Sequence, residues 1–107
     1  MVASPPHFAV CENLFADRGD VPFLLNVQHP FADVLGTRLA VPLHPAAAVK
    51  ALVEKALIPI EINGEAYVAS VPEMTAVPTA HFGRVVASLD ERRHSITNAV
   101  DYLVTGV

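Results

Sequence analysis

The chain has 107 residues, 52% of them hydrophobic, and a formal net charge of −4 at pH 7. This length predicts one domain over residues 1–107, and the acidic balance disfavours binding to duplex nucleic acid. The sequence lacks an apolar run of membrane-spanning length, a signal-peptide pattern and a second cysteine, so we expect a cytoplasmic protein with no internal disulfide.

Runs of apolar and β-branched residues, bounded by Pro, Gly and Asp, predict strands in the first half of the chain. We expect them at residues 7–13, 23–28 and 37–43, with Cys11 as a core residue of the first. Residues 44–57 are rich in alanine and have a proline near their start, which favours a short helix there.

The dipeptide Asn63-Gly64 is the strongest hairpin signal, because both residues tolerate the positive φ angles of a type I′ turn. The remaining expected elements are strands at residues 58–62, 65–70 and 84–88 and a connector with one short extended piece at residues 72–78. Short strands followed by one helix indicate a mainly β domain, either a compact barrel or two sheets, with the helix packed across it.

Residues 90–107 carry the period of an amphipathic helix. Its apolar stripe, spaced for packing on a core, consists of Ile96, Ala99, Val100, Leu103 and Val104. Its polar face consists of His94, Asn98, Asp101 and Thr105. Two start signals compete, a capping box of Ser88 with Glu91 and an N-cap at Asp90, and Gly106 is a natural residue to end the helix.

The end of this helix carries negative charge that no basic residue offsets. Asp101 lies about one turn before the end, and the partly negative helix terminus is followed by the α-carboxylate of Val107. No Lys or Arg lies in the last turn. The pattern fits a solvated chain end, which is the commoner case, or a recognition surface for a basic group of a partner.

The candidate catalytic and metal-binding residues are not spaced as in known catalytic or metal-binding motifs. The five histidines are not spaced as metal ligands, and the sequence has no phosphate-binding glycine loop or nucleophile elbow, so we expect no metal site and no cofactor. His29, before Pro30, is either an exposed turn residue or a general base. Arg38 is either an edge-strand charge or a paired contact residue.

Several segments, in their order and approximate spacing, resemble the CcdB family of toxins from residue 8 to the C-terminus. The segments are residues 24–28 (Leu-Leu-Asn-Val-Gln), Asp33, residues 37–43 (Thr-Arg-Leu-Ala-Val-Pro-Leu), residues 59–64 (Pro-Ile-Glu-Ile-Asn-Gly), residues 75–78 (Thr-Ala-Val-Pro) and residues 99–107. The resemblance implies an SH3-like barrel, made of an antiparallel sheet plus a small second sheet, with one C-terminal helix. It also argues that residues 44–57 are largely an irregular connection rather than a helix.

The resemblance further implies a toxin of a type II toxin–antitoxin module that inhibits a topoisomerase and catalyses nothing. Such toxins are homodimers that bind the DNA gyrase A subunit and trap gyrase on cleaved DNA. A CcdA-like antitoxin neutralises the toxin and uses it as a co-repressor of their shared operon, and such modules serve plasmid maintenance. No cofactor, membrane or direct specific nucleic-acid partner is implied.

The family's gyrase-contact positions fall on the turn after the second strand and on the helix end. They correspond here to His29, Phe31, Asp101, Val104, Thr105, Gly106 and Val107. The family pattern has an aromatic residue in place of Thr105, Asn in place of Asp101 and Ser-Asp in place of His29-Pro30. Losing an aromatic anchor costs about 2 kcal/mol or more at a binding hot spot, so the departure at Thr105 bears directly on potency against gyrase.

Two other functions remain open from the sequence. A related toxin family uses a similar fold to cleave RNA, which needs a general base, a general acid and basic residues at the phosphate. The sparse basic residues of this chain count against that endoribonuclease alternative. The other alternative is a homologue that dimerises and binds an antitoxin without poisoning gyrase.

Overall fold

The structure, a computed structural model, describes residues 6–14, 21–29, 36–49 and 56–106. Within these residues the strands are β1 Ala9–Asn13, β2 Phe23–Asn26, β3 Thr37–Pro45, β4 Leu57–Ile62, β5 Glu65–Ser70, β6 Thr75–Pro78 and β7 Phe82–Ser88. The α-helix, α1, spans Arg93–Thr105. Short 3₁₀ turns lie at Ala46–Ala48, Val71–Glu73, Thr79–His81 and Asp90–Arg92.

The strands form an antiparallel sheet in the order β4-β5-β3-β2-β1-β7. The long strand β3 changes partner along its length, because residues 37–40 pair with β6 whereas residues 43–45 pair with β5. The sheet is curled into a half-barrel. The prediction of a mainly β, barrel-like fold with a C-terminal helix is therefore confirmed for the part of the chain that the structure describes.

Buried side chains form two clusters, one on each face of the sheet. Along β1, Val10 belongs to the larger cluster whereas Ala9 and Cys11 belong to the smaller one, as the alternation of side chains along a strand requires. Helix α1 contributes Ile96 and Ala99 to the larger cluster. Cys11 is fully buried, as predicted, and this burial raises the pKa of its thiol, which disfavours the nucleophilic thiolate.

The hairpin between β4 and β5 has the predicted turn. Asn63 has φ of 51° and Gly64 has φ of 83°, and both values are positive, as a type I′ turn requires. A Cβ atom added to Gly64 would have no heavy atom within 4 Å, leaving aside its chain neighbours. A larger residue at this position would therefore be opposed by backbone strain and not by a steric clash.

The region predicted as a helix at residues 44–57 differs from the prediction wherever the structure describes it. Residues 44 and 45 still belong to β3, Ala46–Ala48 form a single 3₁₀ turn, and Leu57 already begins β4. Pairing with β5 holds His44 and Pro45 in extended conformation and so overrides their local preference. Residues 50–55, in the second half of the predicted helix, lie outside the described residues.

Three other strand boundaries differ from the prediction. β1 begins at Ala9 and not at residue 7, because Phe8 has φ of 62°, which is not a strand conformation. β2 ends at Asn26, two residues earlier than predicted. Beyond this point the side-chain oxygen of Gln28 takes the place of a backbone carbonyl, since it accepts a hydrogen bond from the Leu39 N–H at 3.0 Å. β7 begins two residues early, at Phe82.

The helix starts differently from either predicted signal. The chain enters α1 through the 3₁₀ turn Asp90–Arg92, and no side chain caps either element. The Ser88 hydroxyl only accepts a weak bond from the Asp90 N–H at 3.4 Å. Arg92 instead ties this entry to the sheet, since its guanidinium donates to the Pro59 carbonyl of β4 at 3.1 Å. The predicted end at Gly106 is confirmed, with φ of 75°.

Candidate functional site

The apolar stripe of α1 packs on the core along only part of its length. Ile96 and Ala99 are buried, Val100 is half-buried, and Leu103 and Val104 are 40% and 72% exposed. The prediction that the whole stripe packs on the core is therefore wrong for the last turn of the helix. The predicted polar face, in contrast, is exposed at all four of its positions. The last turn is thus an apolar surface that the described residues do not cover.

Residues 101–106, at the end of the helix, are called the helix tip below. Two hydrogen bonds within the tip satisfy carbonyl groups at the end of the helix. The Thr105 hydroxyl donates to the Asp101 carbonyl at 2.7 Å, and the Gly106 N–H donates to the Tyr102 carbonyl at 2.9 Å. The hydroxyl is therefore engaged within the helix. No basic residue lies in the last turn, so the dipole of the helix and the exposed Asp101 carboxylate make the tip negative.

His29 lies beside the middle of the helix, after the end of β2. Its ring meets the ring of His7 at a centroid distance of 5.4 Å and an interplanar angle of 69°, and His7 in turn stacks on Phe8 at 3.7 Å. A cleft of about 210 Å³, the histidine cleft below, separates these rings from the helix. Its lining consists of His7, Phe8, Val27, His29, Ile96, Thr97 and Val100.

The histidine cleft and the helix tip lie along one side of α1. Thr97 and Val100 line the cleft, and Asp101 and Val104 follow them by four residues each, which places the two pairs on the same helix face. The predicted residues His29, Asp101 and Val104 are thus brought to one side of the helix. Thr105 and Gly106 lie at the tip, whereas the predicted residues Phe31 and Val107 lie outside the described residues.

Sequence reasoning missed His7 as a member of this surface. Burial is the main cause that lowers its pKa, and the nearby His29 and Arg93 act in the same direction. A hydrogen bond to the Val27 backbone and the charge of Asp90 partly oppose this shift. His7 is therefore mainly neutral at pH 7, and the ring nitrogen that does not bond to Val27 is an acceptor.

The position of His7 depends on a backbone conformation that sequence patterns do not reveal. Phe8 has a left-handed conformation, which costs a bulky residue about 1–3 kcal/mol and persists only where the surroundings impose it. Here the Phe8 N–H donates to the Asn26 carbonyl at 2.8 Å, and the Phe8 carbonyl accepts from the Leu89 N–H, also at 2.8 Å. Both partners are distant in sequence.

Arg38 is buried within the sheet. It is 2% exposed and lies in β3, which runs between β2 and β6, so the edge-strand interpretation is wrong. Its guanidinium donates to the Thr37 carbonyl at 2.8 Å, and the Gln28 amide donates to the same carbonyl at 3.3 Å. Arg38 therefore supports the backbone near His29. A buried guanidinium is poorly placed to contact an RNA phosphate, which disfavours the nuclease alternative.

Other chemistry in the described residues is sparse. They contain no group of three or more His, Cys, Asp or Glu side chains that could hold a metal ion. Within the same residues no helix is long and apolar enough to cross a membrane. His44 and Glu73 form a pair at 2.5 Å beside a cavity of about 260 Å³, which the sequence did not predict because the two residues come from β3 and a later 3₁₀ turn.

Comparison with known protein families agrees with this fold and with the resemblance seen in the sequence. The family model described as CcdB protein matches residues 7–106, which is almost the whole chain. The match includes β1 to β7, helix α1 and the helix tip. The chain therefore belongs to the CcdB family, the toxins of toxin–antitoxin modules.

Proposed function

We propose that this chain is a cytoplasmic gyrase poison, a single toxin domain over residues 1–107 that binds the DNA gyrase A subunit and traps gyrase on cleaved DNA. A CcdA-like antitoxin neutralises it and uses it as a co-repressor. Membership of the CcdB family supports this proposal. The observation that carries it is the helix tip, where an apolar and negatively charged surface projects beyond the core.

The contact residues have distinct roles in this proposal. Val104 supplies exposed apolar surface, whereas Asp101 and the helix dipole attract a basic residue of the target. His29 extends the surface toward the middle of α1. Gly106 turns the chain at the tip. Thr105, Phe31 and Val107 complete the set as family contact positions. The chain acts by binding, without a catalytic step, a metal or a cofactor.

A homodimer is part of the proposal. Val85 on β7 is 47% exposed, in addition to Leu103 and Val104 on α1. Apolar surface in excess of what a small domain can bury often marks a subunit interface. We expect α1 and adjacent strands to supply this interface. Sedimentation measurements at micromolar protein should give the dimer mass, and a monomer mass at every concentration would contradict this part of the proposal.

The test is a cleavage assay with purified gyrase, supercoiled plasmid and ATP. We expect the chain to increase the amount of linear DNA released on denaturing gyrase, and Val104→Asp to abolish the increase because it places a charge on the apolar tip. The matched control is His94→Asp, on the exposed polar face of the same helix. Equal activity of the two variants would contradict the assigned surface, and no cleavage with the unmodified chain would contradict the gyrase proposal.

A further inference from the structure

The histidine cleft has the composition of a small recognition pocket. Its walls are mainly apolar, with Val27, Ile96 and Val100 contributing aliphatic surface. Its polar groups are few, namely the imidazoles of His7 and His29 and the hydroxyl of Thr97. Pockets that bind a side chain or small ligand commonly combine an apolar wall with a few placed polar groups, because the wall provides affinity and the polar groups provide specificity.

The ring of His7 is held in place before any partner arrives. Stacking on Phe8 fixes its plane, and the Val27 carbonyl accepts one of its ring N–H groups. The Phe8 backbone is itself fixed by its bonds to Asn26 and Leu89. The second ring nitrogen of a neutral His7 is therefore an acceptor in a fixed position, which suits a donor from a partner.

The carboxylates of Asp90 and of Asp101, which follows Thr97 by one helical turn, favour a cation as that donor, whereas His29 and Arg93 oppose it. The cleft ends at Val100, on the same helix face as Val104 of the negative helix tip, and the chain carries a net charge of −4. The charged or titratable groups that act on His7 are His29, Asp90 and Arg93. Arg93 lies 3.9 Å from Asp90, so its positive charge is partly offset. The cleft and the tip are about 12 Å apart along the helix, from Thr97 to Thr105.

We propose that the histidine cleft receives an arginine side chain of the protein that docks on the helix tip. The aliphatic stem packs on Val27 and Val100, and the guanidinium donates to the acceptor nitrogen of His7. A planar guanidinium also stacks on the imidazole rings, which a lysine ammonium cannot do. This inference rests on the proposed docking surface for its biological partner, but the pocket itself can be tested without that partner.

The direct test is an NMR titration of the isotope-labelled protein with N-acetylarginine amide as the probe. We expect saturable shift changes at His7, Thr97 and Val100, and a dissociation constant about tenfold weaker in His7→Phe, which keeps the stacked ring but removes the acceptor nitrogen. The matched control is His94→Phe, which should bind as the unmodified chain does. Equal binding by the two variants, or no saturable shifts at the cleft, would overturn the inference.

The chemistry of the occupant is tested by the opposite charge and by pH. N-acetylglutamate should produce no saturable shifts at the cleft. Binding of the arginine probe should weaken as the pH falls through the lowered pKa of His7, because the protonated ring repels a cation. Tighter binding on acidification, or binding of the glutamate probe, would mean an anionic occupant and would overturn the inference.

A second variant and a gyrase assay distinguish failure of the cleft inference from failure of the gyrase proposal. His7→Gln retains a side-chain acceptor, so it should bind the arginine probe more tightly than His7→Phe does. Circular dichroism checks that both variants are folded. Equal loss of binding in the two folded variants would contradict the acceptor role of His7. Probe binding without gyrase cleavage by the unmodified chain would refute the gyrase proposal alone. Gyrase cleavage that is unchanged by His7→Phe would refute a role of the cleft in target binding alone.

Discussion

The two halves of helix α1 have the same apolar spacing and opposite environments. In the first half, Ile96 and Ala99 are 1% and 3% exposed, whereas in the second half Leu103 and Val104 are 40% and 72% exposed. The first half belongs to the core, whereas no part of the described sheet covers the second half. An amphipathic pattern therefore indicates that a face will be buried, but it does not indicate whether the fold or a partner buries it.

This difference separates the residues that stabilise the fold from those available for binding. A substitution in the first half removes contacts with the core and lowers the free energy of unfolding. A substitution in the second half removes surface that the described residues leave exposed. The following experiments test that separation, from the largest expected effect to the smallest.

Deletion of residues 105–107 should abolish gyrase-dependent DNA cleavage while the fold survives. The deletion removes Thr105, Gly106 and Val107 from the chain end, and it leaves Ile96 and Ala99 in the core. We expect the thermal midpoint to shift by less than about 4 °C, measured by circular dichroism. Antitoxin binding should largely persist, because we expect the antitoxin to contact a larger surface than the chain end. A truncated chain that is still fully toxic would show that the tip is not the poisoning surface.

Ile96→Ala should lower the free energy of unfolding by about 2–5 kcal/mol, because it leaves a cavity in the larger core cluster. The matched variant Val104→Ala should change it by less than about 0.5 kcal/mol, since that side chain is mostly exposed. Urea denaturation at equal protein concentrations measures both. Similar losses in the two variants would mean that Val104 is buried in the proposed homodimer interface and is not available to bind gyrase.

Gly64→Val should lower the free energy of unfolding by about 1–3 kcal/mol, because valine resists the positive φ of the hairpin turn. Gly106→Val places the same strain at the helix tip, where φ is 75°. It should cost less, since the tip can unwind without exposing the core. An equal loss in thermal stability would contradict the view that the tip is independent of the fold.

The smallest expected effect is a pH dependence from His7. Its pKa is lowered in the folded protein, so the unfolded chain binds more protons between that pKa and the ordinary value of 6.5. Stability should therefore rise with pH through this window and fall on acidification. Urea denaturation from pH 7.5 to 5 should show a weaker dependence in His7→Phe than in His94→Phe. Identical profiles would contradict the burial of His7.

The parts of the fold that were predicted correctly depend on local chemistry. The hairpin followed from Asn63-Gly64, since few other dipeptides adopt positive φ twice, and the helix end followed from Gly106. Burial of Cys11 followed from its place in an apolar strand. Each of these depends on residues adjacent in sequence, which is why one sequence was sufficient.

The parts that were missed depend on contacts between distant residues. The left-handed Phe8 requires bonds to Asn26 and Leu89, and the strand conformation of His44 requires pairing with β5. Arg38 is interior because β6 returns to pair with β3. For the candidate site, family resemblance supplied His29 and the helix tip. His7 was missed because only folding brings it to His29.

The bond between Arg92 and Pro59 has a consequence for aggregation. In the described sheet order β4 is an outer strand, the kind of edge on which another polypeptide can add a strand and begin a cross-β polymer. Pro59 has no backbone N–H group to donate at this edge, and its carbonyl already accepts a hydrogen bond from the Arg92 guanidinium. The centre of β4 is therefore a poor template for intermolecular strand pairing, and Arg92→Ala should make the protein more prone to form thioflavin-positive fibrils on mild heating.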